Sequence, residues 1–250
     1  MLIDTHSHLN FKAFEKDFDK TINSCLKKGV WLINVGSNYE TSVKAVEIAE
    51  KYKKGVFAAI GLHPIHSEKE KFNKKEYQKL SRSKKVIAIG EIGLDYYKEY
   101  GLFKEKQKEV LLRQLILAKE LKLPVIFHCR MAHLDLIELL NLKNSKLKGV
   151  IHCFTGTKKE AKEYLKKGFY LGFNGIIYKL NLKDIIKEVP LEKILPETDC
   201  PYLTPPFLKK ERNEPVFVKY IIEEIAKIKN LNFEIVKKIT FKNAKELFKI

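Results

Sequence analysis

Short runs of β-branched and apolar residues recur along the chain near positions 2–6, 30–35, 56–61, 86–91, 124–128, 149–153, 169–173 and 193–198. Their length and composition predict eight strands. Between most of them apolar residues return at helical spacing, as over 39–52, 104–122, 133–140, 158–167 and 182–189, which predicts connecting helices. Gly29, Gly55, Gly149 and Gly168 each stand between such a stretch and the next apolar run. A left-handed helix cap is expected at each.

Strand alternating with helix at this density implies a parallel sheet, because parallel strands need long crossover connections. Eight units in 250 residues match a closed (β/α)8 TIM barrel, here expected as one α/β domain spanning residues 1–250. The competing architecture is an open doubly wound sheet. No G-x-G-x-x-G follows any strand, so its nucleotide-binding form lacks the phosphate turn. Residues 215–250 read as extra C-terminal helix covering the outside of the barrel.

Composition narrows the class. No run approaches the roughly 18 apolar residues of a membrane span, and Asp4, His6 and His8 stand where a signal peptide would need an apolar core. A cytoplasmic protein without a membrane partner is expected. Cys25, Cys129, Cys153 and Cys200 are widely spaced with no C-x-x-C pair, which argues against a disulfide framework or a zinc knuckle. The formal charge of +17 suits a polyanionic partner. Only four of the 48 basic residues are arginine (Arg82, Arg113, Arg130 and Arg212), and the lysines are spread along the chain as solvated helix faces would have them. Charge alone therefore does not decide the function.

The chemistry lies at the strand ends. Side chains alternate along a strand, so His6 and His8 point the same way and can chelate one ion. Ile87, Ile89 and Glu91 share a face by the same parity, which places a carboxylate at the end of an apolar row, costly unless something positive meets it. Strand five finishes at His128, strand six at His152 and strand eight at Asp199. A barrel brings its strand ends together at the C-terminal rim, where active sites form. The expected ligands are His6, His8, Glu91, His128, His152 and Asp199. They exceed one tetrahedral zinc site and suit two divalent ions sharing a bridging carboxylate. Cys129, Cys153 and Cys200 directly follow ligands, so in regular strands they point outward and pack as small apolar groups. Thiolate ligation would need a sharp turn at each.

These residues resemble the TatD-type metal-dependent DNases, within the wider group of barrel metal-dependent hydrolases. The matching pieces are Asp4-Thr5-His6-Ser7-His8-Leu9, Gly61-Leu62-His63-Pro64, Gly90-Glu91-Ile92-Gly93-Leu94-Asp95-Tyr96, His128-Cys129-Arg130, His152-Cys153-Phe154-Thr155-Gly156, Glu197-Thr198-Asp199-Cys200-Pro201-Tyr202-Leu203 and Arg212-Asn213-Glu214-Pro215. The ordered set spans nearly the whole chain. The resemblance implies a cytoplasmic, divalent-metal-dependent deoxyribonuclease, with 3′→5′ exonuclease activity on single-stranded DNA ends. Met131 replaces the acidic residue usual after the H-x-R arginine, and Lys210-Glu211 replaces a glycine common before the N-E-P segment. Both changes fall on the rim and bear on substrate preference.

In the mechanism this site suggests, His6, His8, Glu91 and Asp199 hold one ion and His128 and His152 a second, with Glu91 bridging. Ions roughly 3.5–4 Å apart can activate a shared water and stabilise the leaving 3′-oxygen. Asp199 is expected to accept the proton of that water. His63 is a candidate phosphate donor and Arg130 a phosphate clamp. Tyr96, Tyr97 and Tyr202 are candidate stacking platforms. Asn213 and Glu214 are expected to organise the last rim loop, and Asp4 to make a supporting hydrogen bond. His66 and His133 are weaker candidates. Metal identity is open among Mg, Mn, Zn, Fe and Co, and so is the oligomeric state, with a monomer favoured. The alternatives are an amide or ester hydrolase, whose barrels often bridge their metals with a carboxylated lysine, and a non-enzymatic nucleic-acid binder.

Overall fold

Eight parallel strands pair in sequence order: β1 (Leu2–Ser7), β2 (Val30–Val35), β3 (Val56–Ile60), β4 (Val86–Asp95), β5 (Val125–Arg130), β6 (Gly149–Ile151), β7 (Tyr170–Phe173) and β8 (Ile194–Pro196). The structure is a computed structural model that describes residues 1–142, 147–209 and 212–250. The Lys210-Glu211 pair lies outside the described residues. The seam between β8 and β1 closes through Asp199 N donating to His6 O and His8 N donating to Cys200 O. Strand order and seam together make the TIM barrel the sequence predicts.

The helices between strands are α1 (Phe18–Lys27), α2 (Tyr39–Glu50), α3 (Lys74–Leu80), α4 (Lys104–Leu121), α5 (His133–Leu142), α6 (Lys158–Lys166) and α7 (Lys183–Glu188). Caps start them where the sequence permits: Asn38 and Thr157 each form a reciprocal capping box, with Thr41 and Glu160. Helices α1 and α3 go beyond the stretches the pattern predicts. In α3 only Tyr77 is buried, too little apolar periodicity to read. Gly29, Gly55 and Gly168 take positive φ as expected, whereas Gly149 does not. It starts β6, and a Cβ there would lie 2.4 Å from Val125 O, so close strand contact explains the glycine.

Two apolar layers divide the interior. Ile3, Ile33, Ala59, Ile126, Val150 and Leu195 belong to the cluster inside the barrel, and most other buried apolar side chains fill the shell between strands and helices. The C-terminal residues form two helices, α8 (Val218–Lys229) and α9 (Phe233–Phe248). Val218, Ile221, Ile222, Ile225 and Ala226 give α8 one buried stripe. Helix α9 departs from the expected outer position: Ala244, Leu247 and Phe248 pack into the inner cluster, plugging the end where the strands begin.

The strand parity assumed for β4 also needs correction. Ile87 joins the inner cluster and Ile89 the outer shell, so they do not share a face. Register shifts against β3 between Ala58 and Ala59, and against β5 between Ile89 and Ile92. These irregularities break the alternation that the inward placement of Glu91 presumes. Glu91 nevertheless reaches the rim, and β4 continues beyond it to Asp95.

Candidate metal centre

At the C-terminal rim, the Nε2 atoms of His6 and His8 lie 3.1 Å apart. His8 Nδ1 sits 2.8 Å from Val35 O, an acceptor only, so it carries the proton and leaves Nε2 a lone pair. Asp199 follows β8 in a left-handed turn, φ 58°. Its Oδ1 comes 3.4 Å from His8 Nε2 and 3.8 Å from His6 Nε2.

Glu91 lies between two groups of imidazoles. Its Oε2 is 3.4 Å from His6 Nε2 and 3.9 Å from His8 Nε2. Its Oε1 is 2.8 Å from His128 Nδ1, 3.4 Å from His63 Nε2 and 3.6 Å from His152 Nε2. The ring of His6 stacks on that of His152, centroids 3.6 Å apart.

Two carboxylates not assigned from the sequence aim these rings. Glu197 Oε1 is 2.8 Å from His152 Nδ1, close but off the line of a good hydrogen bond, and turns Nε2 toward Glu91. Asp95 Oδ2 is 3.0 Å from His128 Nε2. A carboxylate behind each histidine is the usual support for a metal-ligating imidazole. Asp95 belongs to the Gly90–Tyr96 motif and Glu197 to the Glu197–Leu203 motif, yet spacing alone does not separate them from structural acids.

His63 behaves differently. Its Nδ1 accepts from Ile65 N at 3.2 Å, so Nε2 carries the proton and faces Glu91 as a donor. Burial pushes its pKa down to about 4, which keeps the ring neutral. A neutral donor here can serve an oxygen of a carboxylate or phosphate.

The electrostatics show how well a cation would suit the cluster. Burial opposes ionisation of Glu91, but His63, His6, His152 and His128 hold it well below the usual carboxylate range. Asp199 is lowered likewise, with His152 foremost against burial. Burial works against a charge on His152, yet Glu197, Glu91 and Asp199 raise it to about 10. His128 is raised despite burial by Asp95 and Glu91. The ionised carboxylates thus demand positive charge, which protons on His152 and His128 supply. A divalent cation among the same donors would supply it too, so the residues present fit a metal. Three groups hold candidate ligand atoms within 4.8 Å of one another: His6, Glu91 and His152; His6, His8 and Asp199; and His63, Glu91 and His128.

Beside the cluster opens a cavity of about 760 Å³, within the range of small-molecule sites. His128, His152 and Asp199 line it, with Tyr97, Arg130 and Tyr202. The exposed Arg130 guanidinium stacks 3.6 Å from the Tyr97 ring centroid. Tyr202 is 54% exposed and meets His8 edge-on at 6.5 Å. Tyr96 is placed elsewhere: its hydroxyl donates to Asp135 at 2.8 Å and its ring packs on the core. Of this tyrosine pair, Tyr97 faces the cavity.

Cys129 and Cys200 are buried as expected. Cys153 departs from the expectation. Strand β6 ends at Ile151, Cys153 turns at φ 45°, and its half-buried side chain lines the cavity. Asn213 Nδ2 donates to Thr198 O and Tyr202 O, organising the last rim loop. Asp4 accepts from Thr198 N and Oγ1 at 2.8 and 2.5 Å, tying β1 to the segment before Asp199. His133 lines the cavity with Nδ1 3.1 Å from Tyr164 Oη, while His66 lies 6.5 Å from His63, ring to ring.

A TIM barrel carrying this histidine and carboxylate cluster at its C-terminal rim defines a metal-dependent hydrolase. The chain belongs to the TatD related DNase family, which it matches over residues 3–249. It is 40% identical to the uncharacterized metal-dependent hydrolase YabD of Bacillus subtilis, over all of both chains. It is 33% identical to the 3′-5′ ssDNA/RNA exonuclease TatD of Edwardsiella piscicida, again over all of both. The crystal structure of the TatD homolog YJJV from Escherichia coli superposes with a TM-score of 0.92 at 29% identity, covering 100% of this chain and 98% of that one. Among the described residues no helix is long and apolar enough to cross a membrane.

Proposed function

We propose that this hydrolase cleaves DNA phosphodiesters from the 3′ ends of single strands, using two divalent ions. The observation that carries the reading is the division of Glu91: His6 and His8 approach Oε2, whereas His128 and His152 approach Oε1. A carboxylate so shared suits a bridge, with Asp199 completing the first group and Asp95 and Glu197 holding the second pair of rings. The relative named a 3′-5′ ssDNA/RNA exonuclease supports the substrate class.

Bound there, Mg, Mn or Zn would polarise a phosphoryl oxygen and lower the pKa of water. The rest falls to the chain. Asp199 is the carboxylate of the cluster that also borders the cavity, so it orients the attacking water and accepts its proton. His63 Nε2–H donates to a phosphate oxygen, and Arg130 holds a neighbouring phosphate in a two-pronged contact. The water oxygen bonds to phosphorus and the bond to the 3′-oxygen breaks; the released nucleotide keeps the 5′-phosphate, and the upstream strand leaves as a 3′-hydroxyl after its oxygen takes a proton from solvent. Tyr202 and Tyr97 offer stacking surfaces to the flanking bases. The form proposed is a monomer, its residues 1–250 one domain, acting in the cytoplasm.

The test is a time course on a short 5′-labelled single strand with chelator-stripped protein, with and without Mg, Mn or Zn, beside Glu91→Ala. A metal-restored ladder shortening from the 3′ end and absent in the variant is expected. No cleavage of DNA or RNA with any metal, together with turnover of an amide or carboxylic ester, would transfer the site to amide or ester hydrolysis.

A further inference from the structure

The part of the rim beside β5, β7 and β8 has a chemical character the reaction centre does not account for. Segments 130–132, 174–183 and 202–209 contain Arg130, Lys179, Lys183 and Lys209 and no Asp or Glu. Lys179 and Lys209 are exposed and have no ion-pair partner among the described residues. Large apolar side chains stand open on the same segments: Met131, Leu180, Tyr202 and Phe207 are 72%, 44%, 54% and 54% exposed. Exposed apolar surface gathered on one face marks an interaction site rather than chance.

Phe207 is the most defined member. Its ring meets Tyr178 edge-to-face at 5.4 Å and Tyr220 at 5.3 Å, so two neighbours hold it upright while more than half of it stays open. Tyr178 lies in the turn Gly175–Tyr178 between Ile176 and Leu180, both of which line the cavity. The platform is therefore continuous with the site of cleavage. A positive surface carrying a fixed aromatic ring is the combination that binds a single strand without sequence preference, the cations tracking phosphates and the ring stacking a base.

We propose that this surface holds the part of a single strand lying beyond the scissile phosphate, with Phe207 as a base-stacking platform and Lys179 and Lys209 as phosphate contacts. The proposal rests on the nuclease reading and adds a length requirement to it. Strands long enough to reach Phe207 bind more tightly than a dinucleotide, which occupies the cavity alone.

The experiment compares metal-loaded wild type, Phe207→Ala and Lys179→Ala on a 20-residue oligothymidylate, on a dithymidine phosphodiester and on bis(p-nitrophenyl) phosphate. Equilibrium binding of the fluorescent oligonucleotide is measured in chelator alongside. Phe207→Ala should raise KM and the equilibrium Kd for the oligonucleotide roughly 5- to 100-fold, as loss of a stacking ring does, with both small substrates turned over as in wild type. Lys179→Ala should flatten the dependence of log Kd on log salt by about 0.7. Unchanged oligonucleotide binding by Phe207→Ala overturns the proposal, as does an equal loss on all three substrates, which would make Phe207 a packing residue. Wild type that hydrolyses the aryl phosphodiester but neither nucleic acid overturns the nuclease reading and this platform with it.

Discussion

Glu197 Oε1 lies 2.8 Å from His152 Nδ1, and the same oxygen accepts from Cys153 N at 2.7 Å and Asn174 Nδ2 at 3.0 Å. The carboxylate is buried on the floor of the cluster, and Gly172 makes room for it, since a Cβ there would come within 2.5 Å of Glu197 Oε2. One side chain thus fixes the imidazole that reaches toward both Glu91 and Asp199.

Glu197→Gln should weaken metal binding about 10- to 100-fold, the usual cost of losing a carboxylate behind a ligating histidine. Titration of the stripped protein with Zn or Mn, followed by calorimetry, measures it. Wild-type affinity in the variant would show that His152 needs no such support.

Metal should also stabilise the fold. A cation bound only by the native cluster adds about 2.7 kcal/mol at one hundred times its Kd. Tm should therefore climb with metal concentration in wild type and stay flat in Glu91→Ala. A Tm indifferent to metal in both proteins would argue against a preformed site.

A surface pair offers a check on pH dependence. Arg212 binds Asp17 in two-pronged fashion, Nη1–Oδ1 2.8 Å and Nη2–Oδ2 2.7 Å, and its guanidinium also donates to Ala13 O. Those hydrogen bonds, only partly offset by burial, hold the Asp17 pKa below the usual value. A depressed folded pKa gives stability that is present above the unfolded value of about 3.9 and fades as pH falls through the folded one. Asp17→Asn should therefore cost about 1 kcal/mol or less between pH 5 and 7, the scale of an exposed ion pair. The two proteins should begin to converge as pH falls below about 3.9 and meet only below the lowered folded pKa of Asp17. A gap in urea stability that persists at low pH would mean that the contact acts without its charge.

How far the site was legible follows from which rules the backbone obeys. Eight strands with helices between them made the TIM barrel legible, whereas the alternation expected to aim His6 and His8 inward does not hold strictly, since β1 ends at Ser7, its register slips between Asp4 and Ser7, and Ile3 is the residue that joins the inner cluster. Glu91 reaches the rim although β4 does not keep the alternation expected of it, because register slips on both of its edges. Cys153 escaped for a related reason: β6 stops at Ile151, so alternation no longer describes the residues after it. Tyr96 and Tyr97 differ by one position where β4 has already ended, and only the pairing of Tyr96 with Asp135 and of Tyr97 with Arg130 separates their roles. Local periodicity carries no information about such tertiary choices.

The division of labour within the cluster turns on Asp199. It touches His6 and His8 as a ligand would, yet it also borders the open cavity where water and substrate enter. A residue that only positions metal should lose binding and turnover together, whereas a proton acceptor matters in the transition state alone. Asp199→Asn retains the shape and one oxygen for coordination but cannot take a proton at neutral pH. We expect kcat to fall about 10²- to 10⁴-fold, the range for general-base catalysis. The oligonucleotide Kd and the metal content should stay within about threefold of wild type, so the loss falls on the chemical step. Equal losses of metal, binding and turnover would reduce Asp199 to a ligand and move the base to Glu91, whose carboxylate the same imidazoles surround.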